Sequence, residues 1–239
     1  WRPSAIMLTR IFKKYSIFIL IIAILLSFFM HLKHFPKDLM SIHVWRQAQT
    51  QSTINNFYEE DMDILNPRRN DRGAGDGIFR REFPIMQWMV AGLYHVFGQK
   101  LIITRLFMFL ISVLTIFGTY KLLLVLFNHR IPALFGAWSI TFSPSFFYYA
   151  INPLPDNFAL CCAVWGMAFF FSWFKNKRIG LLVFSSFLFG LGALAKLPFI
   201  LYFIVPFIYF ITKIWKEGLR GKVIAGPFLV FLFALLPIS

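Results

Sequence analysis

The side chains best able to do chemistry in this 239-residue chain are a small set of carboxylates and cations. Only ten residues are Asp or Glu, and eight of them lie within residues 33–82, the one extended polar segment. Activation of a hydroxyl calls for a carboxylate or imidazole base, and a leaving group that gains negative charge calls for a cation or a metal ion. The scarce acids are therefore the first candidates for a catalytic site.

Two acids stand at the borders of apolar segments. Asp156 follows a proline and precedes the apolar stretch 157–174, while Glu82 lies two residues before Pro84. A carboxylate drawn toward the centre of a bilayer costs free energy, so an acid is rarely incidental at such a border. We take Asp156 and Glu82 as candidate catalytic acids, with Glu82 also a possible metal ligand. Asp156 could in addition serve as the N-cap of the helix that follows.

A polar helical face precedes these acids. Residues 41–58 show the periodicity of a surface helix, and Arg46, Gln49, Thr50 and Thr53 recur on it at three- and four-residue spacing. A fixed cation beside hydrogen-bonding side chains suits a phosphate or a sugar. An interfacial helix with its polar side in water would show the same spacing, so both interpretations stay open.

Lys196 is a lone cation between two apolar segments. A lysine in this position either binds an anion or extends its ammonium group to the lipid headgroups. Both interpretations fit the sequence equally well.

The composition places these residues in a membrane protein. Hydrophobic residues make up 59% of the chain and charged residues only 14%, which excludes a water-soluble enzyme, a disulfide scaffold and a disordered tail. The net charge of +14 could suggest nucleic-acid binding, but 32 Phe residues spread over the whole length leave no soluble body to carry a basic surface. We expect an all-α polytopic membrane protein with no nucleic-acid partner.

Seven apolar segments predict transmembrane helices, and residues 84–97 predict an additional amphipathic helix at the interface. The short basic clusters at 128–130, 175–178 and 213–222 fall on one side of the membrane if the N-terminus is cytoplasmic, as the positive-inside rule requires. Residues 33–100 then form a large extracytoplasmic first loop within a single transmembrane domain covering 1–239. The seven predicted spans are residues 15–32, 101–127, 131–151, 157–174, 179–195, 197–212 and 223–238.

The two ends of the chain suggest a longer protein. The sequence opens with Trp1 instead of Met, and it stops at Ser239 inside an apolar segment. We therefore expect this chain to be the N-terminal portion of a larger enzyme.

Short motifs occur along the whole chain in a characteristic order. In the order of these motifs the chain resembles the GT-C membrane glycosyltransferases. The similarity is to the bacterial branch related to protein O-mannosyltransferases and to the aminoarabinose transferase that acts on lipid A. Each motif is weak alone, but their order agrees with the independently derived topology. The motifs are Trp45-Arg46-Gln47-Ala48-Gln49-Thr50, Asn66-Pro67-Arg68, Arg81-Glu82-Phe83-Pro84, Phe97-Gly98, Arg105, Ser143-Pro144, Leu154-Pro155-Asp156 and Ala195-Lys196-Leu197-Pro198.

The resemblance implies a sugar transfer with inversion, from a polyprenyl-phosphate donor to a hydroxyl of a lipid, glycan or protein acceptor. It places the reaction on the extracytoplasmic face of the bacterial inner membrane. It implies no certain cofactor, although a divalent metal ion is possible. Asp156 and Glu82 are then the catalytic acids, and the substrate-binding residues are Arg46, Gln49, Arg81 and Lys196.

One residue departs from the family pattern. Relatives commonly carry an acid on the first external helix where this chain has Gln49, and an amide is neither a base nor a strong metal ligand. Asp156, Glu82 or an acid among residues 59–63 takes that role, or the chain is catalytically altered.

Other classes of function remain as alternatives. A transporter would place polar or broken segments near the bilayer midplane, whereas the ionisable groups here gather on one external side. That distribution favours an enzyme acting on a lipid substrate. A non-catalytic membrane protein or a lipid-linked polymerase would also use external loops, and the first-loop residues Arg46 and Glu82 favour glycosyl transfer over both.

Overall fold

The computed structural model describes residues 2–39, 42–73, 75–80 and 82–217. Within these ranges the chain is helical and contains no β-strand, apart from one isolated bridge between Arg68 and Ile78. The predicted all-α class is confirmed. The helices are α1 (Arg2–His31), α2 (Val44–Glu59), α3 (Ile85–Phe97), α4 (Leu101–Phe127), α5 (Arg130–Thr141), α6 (Pro144–Tyr149), α7 (Pro155–Asn176), α8 (Ile179–Ala195), a 3₁₀ helix (Leu197–Phe203) and α9 (Ile204–Glu217).

Three of the described helices are long and apolar enough to cross a membrane. They are α1, through its segment Lys14–His31, together with α4 and α7. The helices α3 and α8 are apolar but shorter, and the predicted seventh span at 223–238 lies outside the described residues. The membrane-protein prediction is therefore supported, whereas the count of seven spans is not confirmed.

Two of the predicted spans are divided in the structure. Residues 131–151 form α5 and α6 with a break at Phe142 and Ser143, because the residue before Pro144 is driven into an extended conformation. Ser143 indeed has φ −61° and ψ 128°. Residues 197–212 are shared between the 3₁₀ helix and the start of α9. In contrast, α4 and α8 have the predicted bounds.

Cross-helix contacts define the direction of each long helix. The hydroxyls of Ser16 and Tyr120 lie 3.0 Å apart and the rings of Phe28 and Phe109 lie 5.5 Å apart, so α1 runs antiparallel to α4. Helix α7 runs parallel to α4, since Trp165 donates to Leu114 O near the middle of both helices and Lys175 donates to Val125 O near their ends.

Helix α8 runs antiparallel to α7, as the hydrogen bond from Ser185 Oγ to Gly166 O (2.7 Å) and the close approach of Gly192 to Ala159 show. The ends of α1 and α8 and the starts of α4 and α7 therefore meet at one end of the bundle. The chain reversals that position candidate site residues lie at this end.

The helices of the first loop dock on that end of the bundle. Ile54 and Phe57 of α2, Met86 and Val90 of α3, and Met108 of α4 belong to one buried apolar cluster. A helix is confirmed near the predicted position as α3, which buries one face and leaves other apolar side chains exposed, while its location at the membrane interface stays a prediction. Because α2 is fixed by this cluster, its polar side chains are held against the starts and ends of the long helices.

The short basic clusters lie at the opposite end of the bundle. Lys175 and Lys177 are at the C-terminal end of α7, and Arg130 opens α5. The separation agrees with the predicted topology, in which these clusters face the cytoplasm and the first loop faces outward. The absolute orientation stays a prediction.

Candidate active site

A cavity of about 440 Å³ lies where the first loop meets the ends of the long helices. Four predicted site residues line it, namely Arg46, Gln49, Glu82 and Lys196, and Asp156 reaches it through an ion pair with Arg46. Arg81 lies outside the described residues. The full lining is His43, Trp45, Arg46, Gln49, Thr50, Arg69, Glu82, Pro155, Lys196 and Pro198.

Helix α2 contributes the polar wall of the cavity. Its three- and four-residue spacing puts Arg46, Gln49 and Thr50 on the same side, as the sequence predicts. Gln47 of the same helix does not line the cavity: it is fully buried and donates to Ile42 O at 3.3 Å, which fixes the start of α2. The predicted surface helix thus exists, although it begins at Val44 instead of residue 41.

Asp156 lies in the first turn of α7, with its Oδ2 atom 4.0 Å from Nη2 of Arg46. This Oδ2 atom is buried and has no hydrogen-bond partner within the described residues. The expectation that Asp156 is an N-cap is wrong: the N-cap is Leu154, because Pro155 already occupies the first helical position. A carboxylate in the first helical turn still benefits from the positive end of the helix dipole.

Glu82 and Lys196 form the second ion pair of the cavity. Lys196 Nζ donates to Glu82 Oε1 at 2.5 Å, and the lysine side chain is only 13% exposed. The backbone holds the two residues together, since Phe83 N donates to Leu194 O at 3.0 Å. Lys196 is thus held inside the protein by a carboxylate, while its binding to an external anion stays a prediction.

Arg69 lines the cavity although the sequence analysis assigns it no role. The chain folds back on itself around it, because Arg69 N donates to Gly77 O and Phe79 N donates to Pro67 O. The guanidinium of Arg69 lies 3.7 Å from the ring centroid of Phe79. Gly77 has φ +78°, and a Cβ there would lie 2.7 Å from Arg69 O, so this turn requires glycine. The glycines and the neighbouring Asn66-Pro67 were the available signal for a turn.

The acids at residues 59–63 do not line the cavity. Glu60 pairs with Arg72 and with Arg68, and these hydrogen bonds, the one from Arg72 first, hold the pKa of Glu60 below its ordinary value. Asp61 and Asp63 accept hydrogen bonds from backbone N–H groups two residues further along. These acids build the loop, which leaves Asp156 and Glu82 as the acids at the cavity.

The metal-binding interpretation of Glu82 gains no support from the geometry. Its Oε1 atom is engaged by Lys196, and nowhere in the described ranges do three His, Cys, Asp or Glu side chains come together as a potential metal site. Gln49, the amide that replaces the acid of relatives, lies in the cavity wall. Metal binding by Glu82 stays a prediction.

The charges of the cavity complement a phosphate ester beside a base. Arg46, Arg69 and Lys196 face Glu82 and the adjacent Asp156, so the cations exceed the acids by one. Charge-assisted hydrogen bonds from Arg and Lys are the strongest that a protein offers to phosphate oxygens. The arrangement can therefore hold an anionic leaving group while a carboxylate accepts a proton.

Comparison with known proteins adds one finding. Residues 82–239, which are more than half of the chain, match the family described as dolichyl-phosphate-mannose-protein mannosyltransferase. The match includes Glu82, Asp156 and Lys196, whereas Arg46 and Gln49 precede it. No curated protein and no solved structure matches the chain.

Proposed function

The chain belongs to the dolichyl-phosphate-mannose-protein mannosyltransferase family, whose members are GT-C membrane glycosyltransferases, and on this premise we propose its reaction. It transfers a sugar from a polyprenyl-phosphate donor to an acceptor hydroxyl, with inversion, in the 440 Å³ cavity. The observation that carries the proposal is the convergence of two cation–carboxylate pairs from four distant segments of the chain. Because the family consists of transferases, the transporter and non-catalytic alternatives are not carried forward.

Asp156 is the general base in this proposal. A hydroxyl that attacks the anomeric carbon must lose its proton, and a carboxylate oxygen within hydrogen-bond reach can accept it. Asp156 is suited to this role, because its side chain is 41% exposed, its Oδ2 makes no hydrogen bond within the described residues and Arg46 stays 4.0 Å away. Glu82 is less suited, since Lys196 already donates to its Oε1 atom.

Lys196 and Arg46 stabilise the departing lipid phosphate. As the bond between the sugar and the phosphate breaks, negative charge grows on the phosphate oxygens, and cations held in place lower the barrier. Glu82 fixes the position of Lys196, which in turn lies between α8 and the 3₁₀ helix. Gln49 and Thr50 supply an amide and a hydroxyl for the sugar hydroxyls, and Arg81 is assigned to substrate binding on the sequence alone.

The position of the cavity suits a donor with a long apolar tail. The 3₁₀ helix that follows Lys196 exposes Leu197 and Leu201, with 58% and 61% of their surfaces accessible. An isoprenoid chain can lie against these side chains while its phosphate contacts Lys196. The short basic clusters occupy the opposite end of the bundle, which supports a reaction on the extracytoplasmic side. The bacterial inner membrane is proposed from the sequence resemblance alone.

A transfer assay tests the donor class. Membranes that contain the full-length protein are incubated with undecaprenyl-phosphate carrying radiolabelled mannose, and separately with GDP-mannose after depletion of lipid-linked sugars. We expect label to reach a membrane or protein acceptor from the lipid-linked donor only. Transfer from the nucleotide sugar alone would contradict the proposed donor.

A further inference from the structure

A second cavity, of about 300 Å³, lies where α1 ends and α4 begins. It shares no lining residue with the cavity assigned to sugar transfer. Its location is the same end of the bundle, because the end of α1 and the starts of α4 and α7 meet there. Its lining is His31, His34, Lys37, Asp38, Arg105, Phe147, Tyr148, Ile151 and Asn152.

Arg105 is the buried cation of this cavity. It is only 4% exposed, and its two terminal nitrogens donate to His34 O at 2.8 Å and to Asp38 O at 2.9 Å. Its Nε atom is buried and has no hydrogen-bond partner in the part of the chain that the structure describes. Among the same residues, Arg105 forms no ion pair with a carboxylate. Asp38 interacts with Arg105 through its charge but does not pair with it, and a buried cation without a paired acid is costly, so an anion in the cavity would stabilise this site.

Lys37 adds a second positive charge to the lining of this cavity. Burial lowers the pKa of His34, and the charges of Lys37, Lys33, His31 and Arg105 lower it further. Asp38 is the single acid of the lining, so the field in the cavity favours an anion.

The helices that form the cavity also expose apolar surface close to it. In α1, Phe29 and Met30 next to His31 are 63% and 47% exposed, and in α4 Leu106 next to Arg105 is 43% exposed. The cationic cavity thus stands at the end of two apolar helices. An anionic group attached to hydrocarbon would satisfy both features, whereas a soluble anion would use only the first.

We propose that this second cavity binds the phosphate group of a membrane lipid, with Lys37 and Arg105 facing the phosphate and the lipid chains lying along α1 and α4. The site is separate from the sugar-transfer cavity. The proposal uses none of the roles assigned to Asp156, Glu82 or Lys196, and it stands whether or not the proposed transferase reaction is correct.

Native mass spectrometry of the detergent-solubilised full-length protein tests this proposal. The probes are dioleoyl phosphatidic acid, dioleoyl phosphatidylcholine and inorganic phosphate. We expect the protein to retain phosphatidic acid in preference to phosphatidylcholine, and Lys37→Gln to weaken this binding about tenfold, the loss of one charge-assisted hydrogen bond. Arg105→Gln would also release the backbone at His34 and Asp38, so the lysine variant carries the test.

Two control variants make the result specific. Lys33→Gln removes a neighbouring cation that does not line the cavity, and Lys100→Gln removes an exposed cation that lines neither cavity. Both should bind phosphatidic acid as the wild type does. Weakening by either control equal to that of Lys37→Gln, or equal retention of the two lipids, would overturn the proposal. Displacement of the lipid by inorganic phosphate at equal concentration would assign the site to free phosphate and overturn its lipid part.

Discussion

The two carboxylates at the candidate active site have different immediate partners. Glu82 accepts a hydrogen bond from Lys196 at 2.5 Å, while the buried Oδ2 of Asp156 is 4.0 Å from Arg46 and accepts no hydrogen bond from the described residues. In the proposed reaction this difference corresponds to two roles: Glu82 positions a cation, and Asp156 accepts the proton of a substrate hydroxyl. The roles predict different kinetic effects for substitutions in the two pairs.

Lys196→Gln should lower kcat/KM for the lipid-linked donor about a hundredfold, because the developing phosphate charge loses a fixed cation. Glu82→Gln should lower kcat/KM only about tenfold, since the ammonium group of Lys196 remains and only its positioning is lost. Steady-state kinetics with varied donor concentration would measure both effects. Lys100→Gln, an exposed lysine near the start of α4, is the matched control and should retain wild-type kinetics. A larger effect for Glu82→Gln than for Lys196→Gln would contradict this division of roles.

The pKa of His34 should be measurably low in the folded protein. Burial and then the charge of Lys37 are the leading causes of its shift below the ordinary value of 6.5. Lys37→Gln removes one cation, so the pKa of His34 should rise toward the ordinary value but stay below it. NMR titration of histidine-labelled protein in nanodiscs would follow the change. An unchanged midpoint in Lys37→Gln would show that the lysine does not act on His34.

The sequence identified individual site residues better than their partners. Arg46, Gln49, Glu82 and Lys196 were expected at a site from residue type and local pattern, and all four line the cavity. Which cation meets which acid could not be predicted, since the pairs join residues more than 100 positions apart and depend on how four helices pack. Arg105 was singled out in the sequence only as one of the family motifs. Its burial against backbone carbonyls follows from the path of residues 34–38.

At the scale of elements, close helix packing holds the site in place. Gly118 of α4 faces α7 so closely that a Cβ would lie 2.9 Å from Trp165 Nε1 and 3.0 Å from Val164 Cγ1. Small residues at such contacts let membrane helices approach each other. The parallel pair of α4 and α7 carries Arg105 and Asp156, so its spacing affects both cavities.

Gly118→Ala should destabilise the protein by about 1–3 kcal/mol, because the added methyl group forces α4 and α7 apart. Gly92→Ala is the matched control, since nothing lies within 4 Å of a Cβ at that helical position. The control should be neutral or slightly stabilising, as alanine favours the helix. Thermal unfolding in detergent would compare the two, and equal melting temperatures would refute tight packing at Gly118.

The elements that the sequence predicted well are those with uninterrupted apolar segments. Helices α4 and α8 have the expected bounds, whereas the segment 131–151 was assigned to one helix despite Pro144. Hydropathy alone does not register the conformational restriction that a proline places on Ser143. The fold of residues 66–80 depends on side-chain and backbone bonds to distant residues, which no local pattern specifies.

At the scale of the whole molecule, the charges divide between the two ends of the bundle. Both cavities lie at the end that carries the first loop, and Lys175, Lys177 and Arg130 lie at the other. The positive-inside rule then predicts that sugar transfer and lipid binding occur on the extracytoplasmic side.

Cysteine labelling in intact cells tests this orientation. Asp71→Cys should react with a membrane-impermeant maleimide, and Lys177→Cys should react only after the membrane is permeabilised. The native Cys161 and Cys162 are 8% and 5% exposed, so they should contribute little background. Reaction of Lys177→Cys in intact cells, with Asp71→Cys protected, would invert the assigned topology.

Asp156→Asn tests most directly whether the cavity is a glycosyltransferase site. The substitution preserves shape but removes the base, so transfer from undecaprenyl-phosphate mannose should fall at least about a hundredfold. Binding of the donor should change little, because Lys196 and Arg46 remain. As a control, the Asp71→Asn variant on the first loop should transfer the sugar at the wild-type rate. Transfer by Asp156→Asn at the wild-type rate would contradict the assignment of this cavity as the catalytic centre.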